Sequence, residues 1–186
     1  MEADWEVEIG GGASVIEALW PGFVDLRSDP QRVRQLAETA DQPALAEALI
    51  RLNAPASPVW TSKCDLWPVL EPGAFDPLEL DAAPDGAAHA FACYIDLLPR
   101  NGLQWAAIER TLASCRRICS VLHAYPLRAC RLDLILRRAF LAPEQMGLGI
   151  TAYLTACGAS PAEAARTLDA ALAAFTSAFC ADATLQ

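Results

Sequence analysis

Four times in this chain a hydrophobic residue is followed by Asp and Leu: Val24-Asp25-Leu26, Cys64-Asp65-Leu66, Ile95-Asp96-Leu97 and Leu132-Asp133-Leu134. The last three copies fall in segments that read as strands, where Asp is disfavoured. Three carboxylates in such places point to a sheet face with a chemical task. Beside Asp65 stands Lys63, the only lysine of a chain that otherwise uses Arg. Closely spaced carboxylates repel, which raises one pKa and makes an acid/base pair. The same oxygens could hold Mg²⁺ or Mn²⁺. A partly buried Lys63 could act as nucleophile or base, although Asp65 favours its charged form. The competing reading of Lys63 is a structural ion pair.

Strand side chains alternate between faces, so the apolar set fixes where the polar set goes. Trp5, Val7 and Ile9 point inward, with Ser62, Cys64 and Leu66 from the second strand. Phe91, Cys93, Ile95 and Leu97 join them, followed by Cys130, Leu132, Leu134 and Leu136, and then Ile150, Ala152 and Leu154. The other face then carries Glu6, Glu8, Thr61, Lys63, Asp65, Trp67, Tyr94, Asp96, Arg131, Asp133, Arg137, Thr151, Tyr153 and Thr155. Lys63, Asp65, Asp96 and Asp133 are the catalytic candidates on it. Trp67, Tyr94 and Tyr153 would wall a pocket, and Arg131 would orient a polar ligand. The plainer alternative is a solvated face, common in antiparallel sheets, held by cross-strand pairs.

The elements that must position these residues can be read along the chain. Trp5 to Ile9 alternates apolar and acidic residues and predicts a half-buried strand, ended by Gly10-Gly11-Gly12. Asp29-Pro30 starts a helix that is interrupted near Asp41-Gln42-Pro43 and resumes through Leu45, Leu49 and Leu52. Strands follow at 60–67 and 89–98. Between them, residues 68–88 form a long acidic loop with four prolines, either a lid or an irregular wrap. Asn101 should cap a helix with the stripe Trp105, Ile108, Leu112, Cys115, Cys119 and Leu122. Strands at 128–138 and 147–157 come next. Ser160-Pro161-Ala162-Glu163 is a capping box opening a last helix buried through Leu168, Leu172, Phe175 and Phe179.

The order β-α-β-β-α-β-β-α predicts one α+β domain over residues 1–186. Its antiparallel or mixed sheet has about five strands, with helices packed on one face. The first six elements match a ferredoxin-like core, with an extra strand and a C-terminal helix added. Consecutive strands without an intervening helix argue against a doubly wound parallel sheet.

Composition limits the partners. The net charge of −9 disfavours a nucleic-acid backbone, and no apolar run reaches the length of a membrane span. Charge divides along the chain: residues 1–86 hold 16 acids and 5 bases, whereas residues 87–186 hold 7 and 9. Seven cysteines, an odd number, follow an acidic start that does not resemble a secretory leader, so the expected home is a reducing, bacterial-type cytoplasm. The triple glycine lacks the Lys-Ser/Thr ending of a phosphate loop. His89 and His123 have no triad context, and Cys115 and Cys119 belong to an apolar stripe, so no metal site is assigned. The expectation is a protein that binds a small polar metabolite on the sheet face, with acid/base or divalent-metal chemistry open to it. The rival is a homodimer formed through the same face.

Overall fold

The computed structural model describes residues 1–18, 20–71, 73–101, 107–142 and 145–181. Strand β1 (Glu2–Glu8) turns through Gly10-Gly11-Gly12, where Gly12 takes a φ of +87°, into a short strand β2 (Val15–Glu17) that the sequence did not announce. Asp29 does cap a helix, accepting from the Gln31 N–H at 3.0 Å, but this is a six-residue 3-10 segment over Pro30–Gln35. Helix α1 (Pro43–Asn53) follows, then strands β3 (Val59–Val69) and β4 (His89–Pro99). Helix α2 (Ile108–His123) has Ala107 at its N-cap instead of Asn101, and Trp105 of the expected stripe lies outside the described residues. Strands β5 (Cys130–Ala142) and β6 (Gln145–Gly158) precede helix α3 (Pro161–Ala181). The capping box forms: the Glu163 N–H donates to Ser160 Oγ at 3.2 Å, and the Glu163 carboxylate accepts from the Ala159 N–H at 3.0 Å.

Six strands make one mixed sheet in the order β1-β5-β6-β4-β3, with β2 beside β5 in line with β1. Strands β1 and β2 run parallel to β5, and the other pairings are antiparallel. The fold is therefore α+β, but the strand order differs from the ferredoxin-like arrangement, in which the first strand is internal. Here β1 is at the edge, where Glu2, Asp4, Glu6 and Glu8 suit an unpaired, solvated margin. The strand expected as an addition, β6, takes the centre, because Ile150, Ala152, Leu154 and Ala156 give it a continuous buried side.

Helices α1, α2 and α3 all pack on one face: α3 over β6 and β4, α1 beside it over β3, and α2 over β1. Leu45, Leu49, Ile118, Leu122, Phe175 and Phe179 meet Ile95, Leu97, Leu132, Leu134 and Leu154 in one buried cluster. Each such side chain stabilises the fold by about 1.5–3 kcal/mol. Among the described residues, the opposite face is covered only at its ends. At one end, Ile16 and Ala18 pack with Trp60, Leu98 and Ala139. At the other, residues 73–88 wrap the sheet: Leu80 and Ala87 pack on Ala90 and Cys157, and Arg128 holds Asp81 at 2.8 Å. A polar band is left between the two covers. Among the described residues, no helix is long and apolar enough to cross a membrane.

Candidate functional site

Strand pairing sets this band out in rows. Asp4, Asp133, Tyr153, Tyr94 and Asp65 align across β1, β5, β6, β4 and β3. One neighbouring row contains Glu6, Ile135, Thr151 and Asp96, and the other contains Glu2, Arg131, Thr155, Ala92 and Trp67. Period-two reasoning thus put Asp65, Asp96, Asp133, Trp67, Tyr94, Arg131 and Tyr153 on the correct face. Sharing a face does not make them a cluster. Three strand spacings separate Asp65 from Asp133, about 14 Å, and two tyrosines stand between them. Among the described residues, no three His, Cys, Asp or Glu side chains are grouped to hold a metal ion.

Each acid has its own surroundings. Asp96 is buried, and burial pushes its carboxyl above the ordinary range; the Thr151 hydroxyl and the charges of Arg137 and Lys63 oppose this. Desolvation is therefore the source of its perturbation, and no carboxylate among the described residues contributes. Burial also raises Asp133, with repulsion from Asp4 and Glu79 in the same direction; Arg131, at 2.8 Å, opposes both. Asp65 is exposed and accepts from the Leu66 N–H at 2.8 Å.

The cations are also engaged. Lys63 contacts Glu17 of β2 at 3.3 Å, a partner outside the Asp set, because β2 leads the chain over the polar face toward β3. Arg137, which alternation placed on this face without a role, proves central to the band. Its side chain is only 13% exposed, meets Glu8 at 2.7 Å and donates to Thr151 Oγ1 at 3.3 Å. Thr151 donates in turn to Asp96 at 2.6 Å. Trp67, Tyr94 and Tyr153 form a continuous aromatic strip, with ring centroids 6.2 and 5.9 Å apart. Burial, with Asp96 and Asp65 nearby, pushes the Tyr94 hydroxyl up to about 12.

At the β3 margin the alternation breaks. Pairing with β4 slips between Thr61 and Cys64. Thr61, expected on the polar face, turns inward: its N–H donates to Asn53 Oδ1 at 3.1 Å, and Asn53 Nδ2 donates to its hydroxyl at 2.8 Å. Ser62, expected inward, donates its hydroxyl to the Glu17 carbonyl. The extra residue in the bulge is the physical reason for both corrections.

Beside this bulge lies a cleft of about 230 Å³ bordered by β3 and residues of the 20–38 segment. Val24, Leu26, Leu36 and Leu49 give it an aliphatic wall, while Lys63, Asp65, Tyr94, Glu38, Cys64 and Trp20 supply polar and aromatic groups. The Trp20 indole N–H is buried and has no hydrogen-bond partner among the described residues. A buried orphan donor of this kind costs about 1–3 kcal/mol. Burial, then Glu38, Asp65 and Asp96, push the Cys64 thiol up to about 12, so the cleft carries a negative potential and a disarmed thiol. Trp20 and Glu38 escaped the sequence reading because neither lies in a periodic element. A second groove, of about 290 Å³, runs between α1 and α3 past Glu47, Arg51 and Asp169, away from the polar band.

Compared with models of known protein families, with curated proteins and with solved structures, the chain matches none.

Proposed function

We propose that this protein binds a small polar molecule in the cleft at the β3 margin of its polar sheet face. One observation carries the reading: Lys63, Asp65, Glu38 and Tyr94 line one cleft of about 230 Å³ together with the aliphatic side chains of Val24, Leu26 and Leu36. A partly apolar cleft with a few convergent polar groups is the usual form of a small-molecule site. The rest of the band, through the Glu8–Arg137–Thr151–Asp96 chain and the Arg131–Asp133 pair, is satisfied internally and supports the cleft from below. Binding is favoured over turnover because the acids do not converge and the Cys64 thiol is held far from its reactive form. The seven cysteines are free thiols, in keeping with a reducing compartment. Homodimerisation through Tyr94 and Tyr153 has less support, since the row that holds them ends in acids on both sides.

A metabolite library screened by thermal shift, with hits mapped by amide chemical shifts, tests the reading. Perturbations are expected at residues 20–38, at 61–65 and at Tyr94. An empty screen, or hits that map to other surfaces, would overturn it.

A further inference from the structure

We infer that β2 and Trp20 form a strap that swings away from β3 as a unit while strands β3 to β6 stay paired. Each end of the strap is a glycine turn. The Ala13 N–H closes the first on the Gly10 carbonyl at 3.2 Å, with Gly12 at a φ of +87°. Among the described residues, no atom lies within 4 Å of where a side chain would start at Gly10, Gly11 or Gly12. The Phe23 N–H closes the second on the Trp20 carbonyl at 3.0 Å, with Gly22 at +91°. Such turns can absorb a change of backbone angle without disturbing packed elements.

The chain between the turns is lightly held. Strand β2 pairs with β5 over three residues, and the Ala18 N–H adds one bond to the Phe140 carbonyl at 2.9 Å. Toward β3, the ties converge on Glu17. Its carbonyl accepts from the Ser62 hydroxyl, and its carboxylate meets Lys63 at 3.3 Å in an exposed pair that contributes little. The apolar seat is small, with Ile16 and Ala18 resting on Trp60, Leu98 and Ala139.

The closed position also carries a penalty. The Trp20 indole N–H is buried there without an acceptor among the described residues, too deep for a molecule in the cleft to reach. Water pairs it only once the strap lifts, so this donor favours opening. Strand β4 has the opposite character: Ile95 and Leu97 are fully buried and paired on both sides, with β3 and with β6. Trp20 also walls the cleft. The motion stands apart from the binding reading, and only its use as an entrance rests on that reading.

Deuterium exchange of the whole chain, followed by NMR, tests the strap. The Ala18 amide and the Trp20 indole proton should exchange through one opening. Their protection should match, and should lie roughly a hundredfold below that of Ile95 and Leu97. Ser62→Ala cuts one tie and should quicken Ala18 about fivefold while leaving Leu97 unchanged. Trp20→Phe removes the unpaired donor, keeps a ring beside Phe23, and should slow Ala18 roughly tenfold. Protection at Ala18 equal to that at Leu97 would overturn the strap. So would a Leu97 amide that quickens in step with Ala18 in Ser62→Ala, or faster Ala18 exchange in Trp20→Phe. No ligand takes part, so this result is independent of the screen that tests the binding reading.

Discussion

Asp96 and Thr151 face each other across the β4–β6 pair, and the threonine hydroxyl donates to the carboxylate at 2.6 Å. Arg137 reaches the same hydroxyl at 3.3 Å, so one threonine links a buried acid to a nearly buried guanidinium. Removing the hydroxyl with Thr151→Val leaves the carboxylate short of a donor at the centre of the sheet. The expected cost is about 1–3 kcal/mol, read from urea midpoints. The cost should shrink when Asp96→Asn is already present, because the two changes touch one network.

The same acid sets a pH dependence. Burial raises the Asp96 carboxyl, so the folded chain holds this proton more tightly than the unfolded chain does. The contribution of the group to stability is therefore fully present below the ordinary value of 3.8 and is lost as pH rises through the higher folded value. Asp96→Asn removes that loss. The melting temperature of the variant, measured against wild type from about pH 4 to pH 8, should gain on it as pH rises. A difference that stays flat with pH, or turns against the variant, would show that Asp96 ionises in the fold without penalty.

The polar face could be read from the sequence because period two is a local property: Tyr94 and Asp96 must share a side whatever their neighbours are. Register and order are not local. The row Asp65–Tyr94–Tyr153–Asp133 depends on which strands pair, and nothing in the spacing of the Asp-Leu copies says that two tyrosines will lie between two of the acids. Lys63 shows the same limit. Its partner, Glu17, lies in a three-residue strand after a triple glycine, too short to show periodicity. The Thr61 inversion needed a bulge that only pairing with β4 and capture by Asn53 reveal. Trp20 and Glu38, which complete the cleft, come from irregular chain whose path is fixed by tertiary contacts.

Asn53 is the tie between helix and bulge. Fully buried at the end of α1, it donates to the Leu49 carbonyl and the Thr61 hydroxyl and accepts from the Thr61 N–H. Asn53→Ala strands the buried Thr61 amide, and a loss of about 1–3 kcal/mol is expected. Amide exchange should quicken at Thr61 and Ser62 before it does at Ile95 or Leu97. Equal acceleration across β4 would mean that the residue serves the core in general and not the bulge.

Cys64 borders the cleft, yet its thiol sits near 12. At pH 8 its thiolate population should be about a thousandfold below that of an ordinary thiol. Native alkylation should accordingly be slow and should rise about tenfold per pH unit up to pH 10. Asp65→Asn removes one of the carboxylates that disfavour the thiolate and should speed the reaction. Rapid labelling at neutral pH would contradict the burial that, ahead of Glu38, Asp65 and Asp96, holds the thiol in its protonated form.

Gly149 decides whether β2 can cross the face at all. A Cβ there would lie 2.8 Å from Ile16 Cδ1, 3.0 Å from Leu98 Cδ2 and 3.0 Å from the Leu97 carbonyl oxygen. The carbonyl belongs to the β-sheet backbone and cannot swing away, so Gly149→Ala should cost about 1–3 kcal/mol. Gly147 offers the control. Its added Cβ would approach only the Leu141 side chain, nearest at 2.7 Å from Cδ1, and a terminal methyl can rotate out of the way. Gly147→Ala should therefore be tolerated better. The clash at Gly149 pushes on Ile16, and Ile16 precedes the Glu17 that meets Ser62 and Lys63. Gly149→Ala should thus also loosen the Lys63 pairing, seen as a shift of the Lys63 side-chain resonances, whereas Gly147→Ala should leave them in place. Identical spectra for the two variants would sever the cleft from the strand crossing that is held to shape it.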